Sequence, residues 1–402
     1  MEKSFVVCYI VYILIFTYLP KSVQTIGFLA FIFVSAYYVW HNKTFIHKFF
    51  TYDYDLKKFR LYFISFWGVA GFYFIISLLN LPRMWGIAGL GFNISFLPRH
   101  FFIIAELLIP VLLSYGIYRL RLYDFFSNRK LILFYIFVFL INREICVMGL
   151  LLITLSLIAW KRRSKLLMLL AIFINTEQSA YILGFMIMMF LLFFERRISS
   201  FLYKNTARKI ILILSLSVII LFLSSAFIMY YVQEDPNSLW RLYVWINEIN
   251  SLSQTYFTGV GFGSAYVTDD IIYMVDNSSM YIQNNNESME TGVFLVANHS
   301  SLLNMFYRMG LLGGFLFLTL NVKMICIVIK MYRYADKRMR SLLWRLFSVF
   351  IYETVIISLN PGLEMMQFAL SYLLSVSFLL AVIYKILMQS LNKLDVVSQR
   401  TV

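Results

Sequence analysis

Twelve runs of apolar residues follow one another along this 402-residue chain, and their length restricts what it can become. About 20 apolar residues in a helix cross the roughly 30 Å hydrocarbon core of a bilayer. Inside that core every backbone donor and acceptor must be satisfied within the protein, so runs of this length fold as helices. They lie approximately at 4–19, 22–40, 61–80, 100–118, 131–142, 145–160, 166–176, 179–194, 210–231, 301–322, 341–359 and 363–385. The fifth and seventh are short for full spans and read as kinked or extended by polar neighbours. The first could be mistaken for a signal peptide, but it has no small-residue cleavage site, and Pro20-Lys21 leads straight into another span. The expectation is an all-α integral membrane protein with about twelve transmembrane helices. The composition agrees: 14% of residues are charged, against about 25% in soluble globular chains.

A net charge of +15 could suggest nucleic acid, but its distribution excludes that. Basic residues fall in alternate loops: Lys43 to Arg60, Arg119 to Lys130, Lys161 to Lys165, Arg196 to Lys209, and Lys330 to Arg340. By the positive-inside rule these loops and both termini are cytoplasmic. Cys8, Cys146 and Cys326 all sit in apolar spans, where thiols behave as small hydrophobes, and they imply no disulfide framework.

The same rule places one long polar interruption outside. The chain therefore divides into a transmembrane region at 1–231, an extracytoplasmic loop at 232–300, between the ninth and tenth spans, and a transmembrane region with a cytoplasmic tail at 301–402. The loop holds one arginine, Arg241, no lysine, and the single histidine beyond His100, namely His299. Other outward cations are few: Lys21, Arg83, Arg99, Arg143 and, two turns into a helix, Arg308. Cations tolerated on that side are candidates for binding anions, although some snorkel to headgroups. A charge as far into a span as Arg308 is a functional-site hypothesis by default. An ion pair with Glu106 or Glu364 is the structural alternative.

Within the loop, residues 238–251 read as an amphipathic helix at the membrane interface. Leu239, Leu242, Ile246 and Ile249 form an apolar stripe, and Arg241, Trp245 and Glu248 fall on a second face at i, i+4 and i+7. Thr258-Gly259-Val260-Gly261-Phe262-Gly263 follows. Its alternate glycines permit positive φ and close backbone approach, so amides around Gly261 and Gly263 could face a ligand; alone, the pattern reads equally as a tight turn. At the loop's end Asn298, Ser300 or Ser301 can cap the tenth span. The amides of that helix start favour an anion such as phosphate. His299 stands there, a side chain that is mostly neutral at neutral pH and able to accept a proton. Gly310 and Gly313 read as small residues for close helix packing.

The run His299-Ser300, nine residues, then Gly310-Leu-Leu-Gly313 resembles the His-[Asn/Ser/Gln]-x9-Gly-x-x-Gly pattern of bacterial O-antigen ligases and O-antigen polymerases. Arg241-x3-Trp245 and the Gly-x-Gly-x-Gly run look like the same family's preceding elements. The direct motif match covers about 238–315. The resemblance implies a GT-C-like glycosyltransferase in the bacterial inner membrane, with its active loop periplasmic. Its substrate would be a glycan on undecaprenyl diphosphate, its surroundings membrane lipid, with a chain-length regulator protein as a further partner the resemblance allows. Arg241 would contact the diphosphate and His299 would activate the acceptor hydroxyl. The chain departs from the pattern in two places. Thr176-Glu177-Gln178-Ser179 lacks the arginine that many relatives carry there, and Arg308 stands where many have an acid. Arg308, Arg99 and Arg143 are the candidates for the missing second cation.

The leading expectation is an O-antigen or related surface-polysaccharide polymerase without metal or cofactor. Asp269-Asp270 is an adjacent acid pair outside, and in extended chain its side chains would diverge. An O-antigen ligase handing finished polymer to lipid A–core shares every motif. A lipid-linked oligosaccharide transporter is the alternative from another class, although transporters tend to repeat their polar features in both halves.

Overall fold

The computed structural model describes residues 37, 40–79, 90–119, 145–157, 179–203, 206–223, 236–266, 268, 300–360, 363, 364 and 366–400. The expected spans at 4–19, 131–142 and 166–176, and nearly all of 22–40, lie outside these. Among the described residues the chain is all-helical, with a single isolated antiparallel bridge between Phe92 and Ser264. In chain order the helices are α1 (Lys43–Tyr52), α2 (Tyr54–Leu78), α3 (Leu97–Ala105), α4 (Ile109–Arg119), α5 (Ile145–Leu157) and α6 (Ser179–Phe193). There follow α7 (Glu195–Tyr203), α8 (Thr206–Leu223), α9 (Pro236–Gln254), α10 (Ser301–Tyr334), α11 (Lys337–Leu359) and α12 (Met366–Arg400).

Four of these segments are long and apolar enough to cross a bilayer: Tyr54–Leu78, Ser301–Tyr334, Lys337–Leu359 and Ala369–Ser390. Their starts follow capping chemistry. The Asp53 carboxylate accepts from the Asp55 amide at 2.9 Å at the head of α2, and Asp336 accepts from the Met339 amide at 2.9 Å at the head of α11. The expected helix at 100–118 carries a 3-10 turn at Glu106–Leu108 between α3 and α4, with right-handed helical backbone on both sides, so Ile103–Tyr118 remains one apolar helix. Pro110 accounts for the tightened turn, because it lacks an N–H and its ring clashes with the carbonyl four residues earlier.

Helix α12 is the centre of the bundle, packed by α4, α5 and α11, and its Leu373, Leu379 and Ile383 are fully enclosed. Helix α2 lies outside and shows Leu61, Ile64, Phe72 and Ile75 to the surroundings; α6 does the same with Leu183, Met186, Phe190 and Phe193. In water such stripes would be a liability, whereas against lipid tails they carry no penalty.

Helices α2 and α10 run antiparallel, and their contacts mark the two ends of the bundle. At one end the Lys330 ammonium pairs with Asp53 at 2.8 Å and Asp55 at 2.9 Å. At the other, the Tyr73 hydroxyl donates to the Thr258 carbonyl, and the Phe262 amide donates to the Ser77 hydroxyl at 2.7 Å. From Arg308 to Lys330 is roughly 33 Å of helix at 1.5 Å per residue, about one hydrocarbon thickness. Arg333 stacks on Tyr203 and Tyr332 bonds Glu195, so the Arg196–Arg197 loop gathers at the Lys330 end. The polar segment 236–266 lies at the opposite end, the segregation that alternate basic loops anticipate.

Helix α10 is not continuous. Gly310 has φ 63° and ψ −168°, a conformation open almost solely to glycine. The expected packing glycine thus also breaks the helix. A β-carbon there would also lie 2.5 Å from the Phe257 and Thr258 carbonyl oxygens. Gly310→Ala should destabilise the protein by about 1–3 kcal/mol from backbone strain alone, read as a lowered unfolding temperature in detergent. Gly116→Ala, where an added β-carbon meets nothing within 4 Å, should leave it unchanged.

Candidate functional site

The site begins with how α9 lies. Its expected apolar stripe is turned outward, with Ile246 46% and Ile249 50% exposed, while Val244, Glu248, Ser251 and Thr255 are buried. This orientation suits a helix at a membrane interface, where the stripe meets lipid and the polar face meets protein. Glu248 is only 1% exposed and, with Ser251, lies against Tyr307 of α10. Arg241 and Trp245 share that face at half-buried positions, as the i, i+4, i+7 spacing predicts. The Trp245 indole N–H is buried and has no hydrogen-bond partner among the described residues.

The glycine loop explains the break in α10, and the break explains the loop. The Val260 amide donates to the Tyr307 carbonyl at 2.8 Å, and the Gly261 amide to the Arg308 carbonyl at 3.0 Å. In return the Leu311 amide donates to the Phe257 carbonyl at 3.0 Å. These are groups that an intact helix would pair internally. Gly259, Gly261 and Gly263 all have positive φ, and a β-carbon at Gly259 would lie 2.4 Å from the Gly310 nitrogen. On its other side the loop is pinned by Gly91 and Asn93. Gly263 also donates to the His100 ring at 3.1 Å.

Arg308 lies beneath this loop, 2% exposed. One terminal nitrogen donates to the Gly261 carbonyl at 3.2 Å and to the Ser264 carbonyl, and Nε donates to the Asn304 amide oxygen at 3.3 Å. The guanidinium carbon stands 4.4 Å from the Tyr266 ring centre and 5.2 Å from that of Tyr307. Its other terminal nitrogen, Nη2, has no hydrogen-bond partner among the described residues. Stacking on aromatic faces leaves the edge of a guanidinium available for bonds in its plane.

At the mouth of α10 the N-cap is Ser300, whose hydroxyl accepts from the Leu303 amide at 3.2 Å. The expected free amides are partly engaged, because the Ser301 amide donates to the Asn360 carbonyl at 3.3 Å. Glu364 receives the Ser301 hydroxyl at 2.5 Å and the Asn304 amide at 2.6 Å. A chain thus runs from Glu364 through Asn304 to Arg308, in place of a direct ion pair. Glu106, buried at the 3-10 turn, is Glu364's electrostatic neighbour. Burial pushes the Glu364 carboxyl up to about 7, against the opposing pull of its hydrogen bonds and of Arg308.

The fold therefore brings Gly261, Gly263 and Arg308 together at the first turns of α10, and α9, which carries Arg241 and Trp245, meets that helix through Glu248 and Ser251 against Tyr307. The amides of Gly261 and Gly263 already have protein partners, so these glycines shape the site and do not offer free donors. Arg99 falls on α3 beside His100; its side chain is not described. His299 and Arg143 lie outside the described residues, as do Asp269 and Asp270, and His299 directly precedes the N-cap Ser300. Asn304, Tyr266, Tyr307 and His100 were not legible as site residues. Asn304 carried one usable signal, its i−4 spacing from Arg308; Tyr266 and His100 carried none, being joined to the site only by tertiary contact.

These features are those of a multi-helix membrane protein with a polar, cation-bearing site at one end of its bundle. Residues 164–318 match a family model described as O-antigen ligase. That match covers under half of the chain, including the glycine loop and the broken helix, and supports a relation to the O-antigen polymerase/ligase family, whose members are membrane glycosyltransferase-like enzymes. The family acts on lipid-linked glycans in O-antigen and lipopolysaccharide biosynthesis. A search of curated proteins finds no match.

The raised Glu364 carboxyl has a consequence for stability. The folded state holds its proton up to about pH 7, whereas the unfolded chain releases it near 4.3. Stability therefore falls as pH rises through that window. Unfolding temperatures measured from pH 4 to 8 should show this slope, and Glu364→Gln should make it shallower.

Proposed function

We propose that the protein is a surface-polysaccharide polymerase of this family. It would move the growing glycan from undecaprenyl diphosphate to a sugar hydroxyl of an incoming lipid-linked repeat unit, at the periplasmic face of the bacterial inner membrane. One observation supports the reading: the glycine loop closes over Arg308 in the first turns of the helix that His299 precedes in sequence, and α9, the helix of Arg241 and Trp245, packs on the same turns through Glu248 and Ser251.

The chemistry then follows from the residue types. The His299 imidazole takes the proton of the acceptor hydroxyl as its oxygen bonds the anomeric carbon. The bond from that carbon to the diphosphate oxygen breaks, its electron pair leaves with the diphosphate, and the anomeric configuration inverts. Arg241 neutralises the charge that develops on the leaving group, a task its planar fork of donors suits. Trp245 offers an uncommitted N–H one turn away for a phosphate or sugar oxygen. Arg308 supplies a fixed positive charge below the loop, and Arg99 and Arg143 are the further cations for the second lipid-linked substrate. Gly261 and Gly263 act by bringing backbone over Arg308. The scheme calls on no metal or cofactor.

The acid-rich segment favours polymerase over ligase: eight acids and one arginine suit a neutral sugar acceptor better than the phosphorylated acceptor of a ligase. His299→Ala should lower transfer about 10²–10⁴-fold, the usual contribution of a positioned base. Surface-polymer length and lipid-linked intermediates are the readouts, at matched levels of inserted protein. Accumulated single repeat units support polymerase, and long polymer retained on the lipid carrier indicates ligase. Unchanged surface polymer would remove His299 from the mechanism. Arg241→Ala should cost about 10²-fold, the scale of one lost charge-assisted bidentate contact, with Arg241→Lys between it and the parent.

A further inference from the structure

At the opposite end of the bundle from this site, four cations converge with no carboxylate to answer them. Arg196 and Arg197 of α7, Lys209 of α8 and Arg333 of α10 line one open cavity of about 620 Å³, together with Ser200, Phe201 and Tyr203. No described carboxylate pairs with any of the four; Glu195, next to Arg196, instead accepts the Tyr332 hydroxyl at 2.9 Å. The Arg333 guanidinium lies 3.5 Å from the Tyr203 ring centre, which orients its donor fork and leaves the edge open. The Lys209 ammonium sits 4.4 Å over the Phe201 ring and donates to the Phe201 carbonyl, which leaves further protons to give.

A cleft lined by charges of one sign concentrates counter-ions, so four cations in one cavity favour an anion there. The surroundings say which kind. Phe201 is 55% exposed at the rim, Phe194 and Tyr203 are exposed beside it, and α8 continues from the cavity with Ile211, Leu212 and Leu214 facing outward. A headgroup phosphate in the cavity would thus have a continuous apolar wall along which its acyl chains could lie. We propose that this cavity is a binding site for the phosphate-bearing headgroup of an anionic membrane lipid, held by Arg196, Arg197, Lys209 and Arg333. Basic loops that set orientation have no need to converge; these do.

The test uses the full-length protein in phosphatidylcholine nanodiscs carrying spin-labelled phosphatidylglycerol, with immobilised label read by electron paramagnetic resonance. Each cation near an anionic headgroup is worth about 1 kcal/mol, or about 5-fold in affinity. Arg196→Ala/Arg333→Ala should therefore weaken lipid retention roughly 25-fold. Lys337→Ala/Arg338→Ala, which removes two exposed cations at the same end but outside the cavity, should change it less than about 2-fold. Equal losses in the two variants would mean diffuse surface charge and would overturn the proposal. Displacement of the label by inorganic phosphate alone would assign the cavity to a soluble anion and overturn it too. Where the double variant fails to insert, Arg196→Gln, at an exposed position, takes its place with an expected loss of about 5-fold.

Discussion

The arrangement at the predicted site depends on one exchange of backbone hydrogen bonds. Helix α10 is broken at Gly310, two turns from its start, and the freed Tyr307 and Arg308 carbonyls and Leu311 amide are taken up by residues 257–261. In a membrane protein an unsatisfied backbone group costs several kcal/mol. The loop cannot leave without exposing three such groups, and the helix cannot close without expelling the loop. Glycine is needed on both sides because the two backbones approach to distances that a β-carbon would violate.

That exchange also decides where charge can be kept. Arg308 would be costly in the interior of an apolar bundle. It is accommodated because the inserted loop brings two carbonyls to one terminal nitrogen, while Tyr266 and Tyr307 offer aromatic faces. Asn304 then links it to Glu364, whose carboxyl is held half-neutral near pH 7 by burial. Beside it α9 packs on α10, with Glu248 and Ser251 against Tyr307. A change at Gly310 would therefore reach every one of these groups.

Charge is organised on a second scale as well. The basic loops and the polar segment occupy opposite ends of helices about one hydrocarbon thickness long. At the basic end, Lys330 is neutralised by Asp53 and Asp55, whereas Arg196, Arg197, Lys209 and Arg333 surround an open cavity with no acid among the described residues that line it. The alternation of charge along the chain is enough to orient a protein; the pooling of four of those charges in one place is a property of the folded state.

Much was determined by the sequence alone. The apolar runs required helices, alternate basic loops required two chemically different ends, and the spacing of Arg241, Trp245 and Glu248 put them on one helix face. The family motif singled out Arg308 and Gly310. Local periodicity and composition carry such information because helix faces and membrane spans are properties of short stretches. What only the tertiary structure decided was the partnership between distant stretches. Gly310 is a break as well as a place of close packing, because residues 257–261 supply its missing hydrogen bonds. The apolar stripe of α9 faces outward, because its polar face has Tyr307 to meet. Arg308 finds the Gly261 and Ser264 carbonyls, and Glu364 finds Ser301 and Asn304. Each of these rests on contacts between groups far apart in sequence, where no periodicity links one to the other.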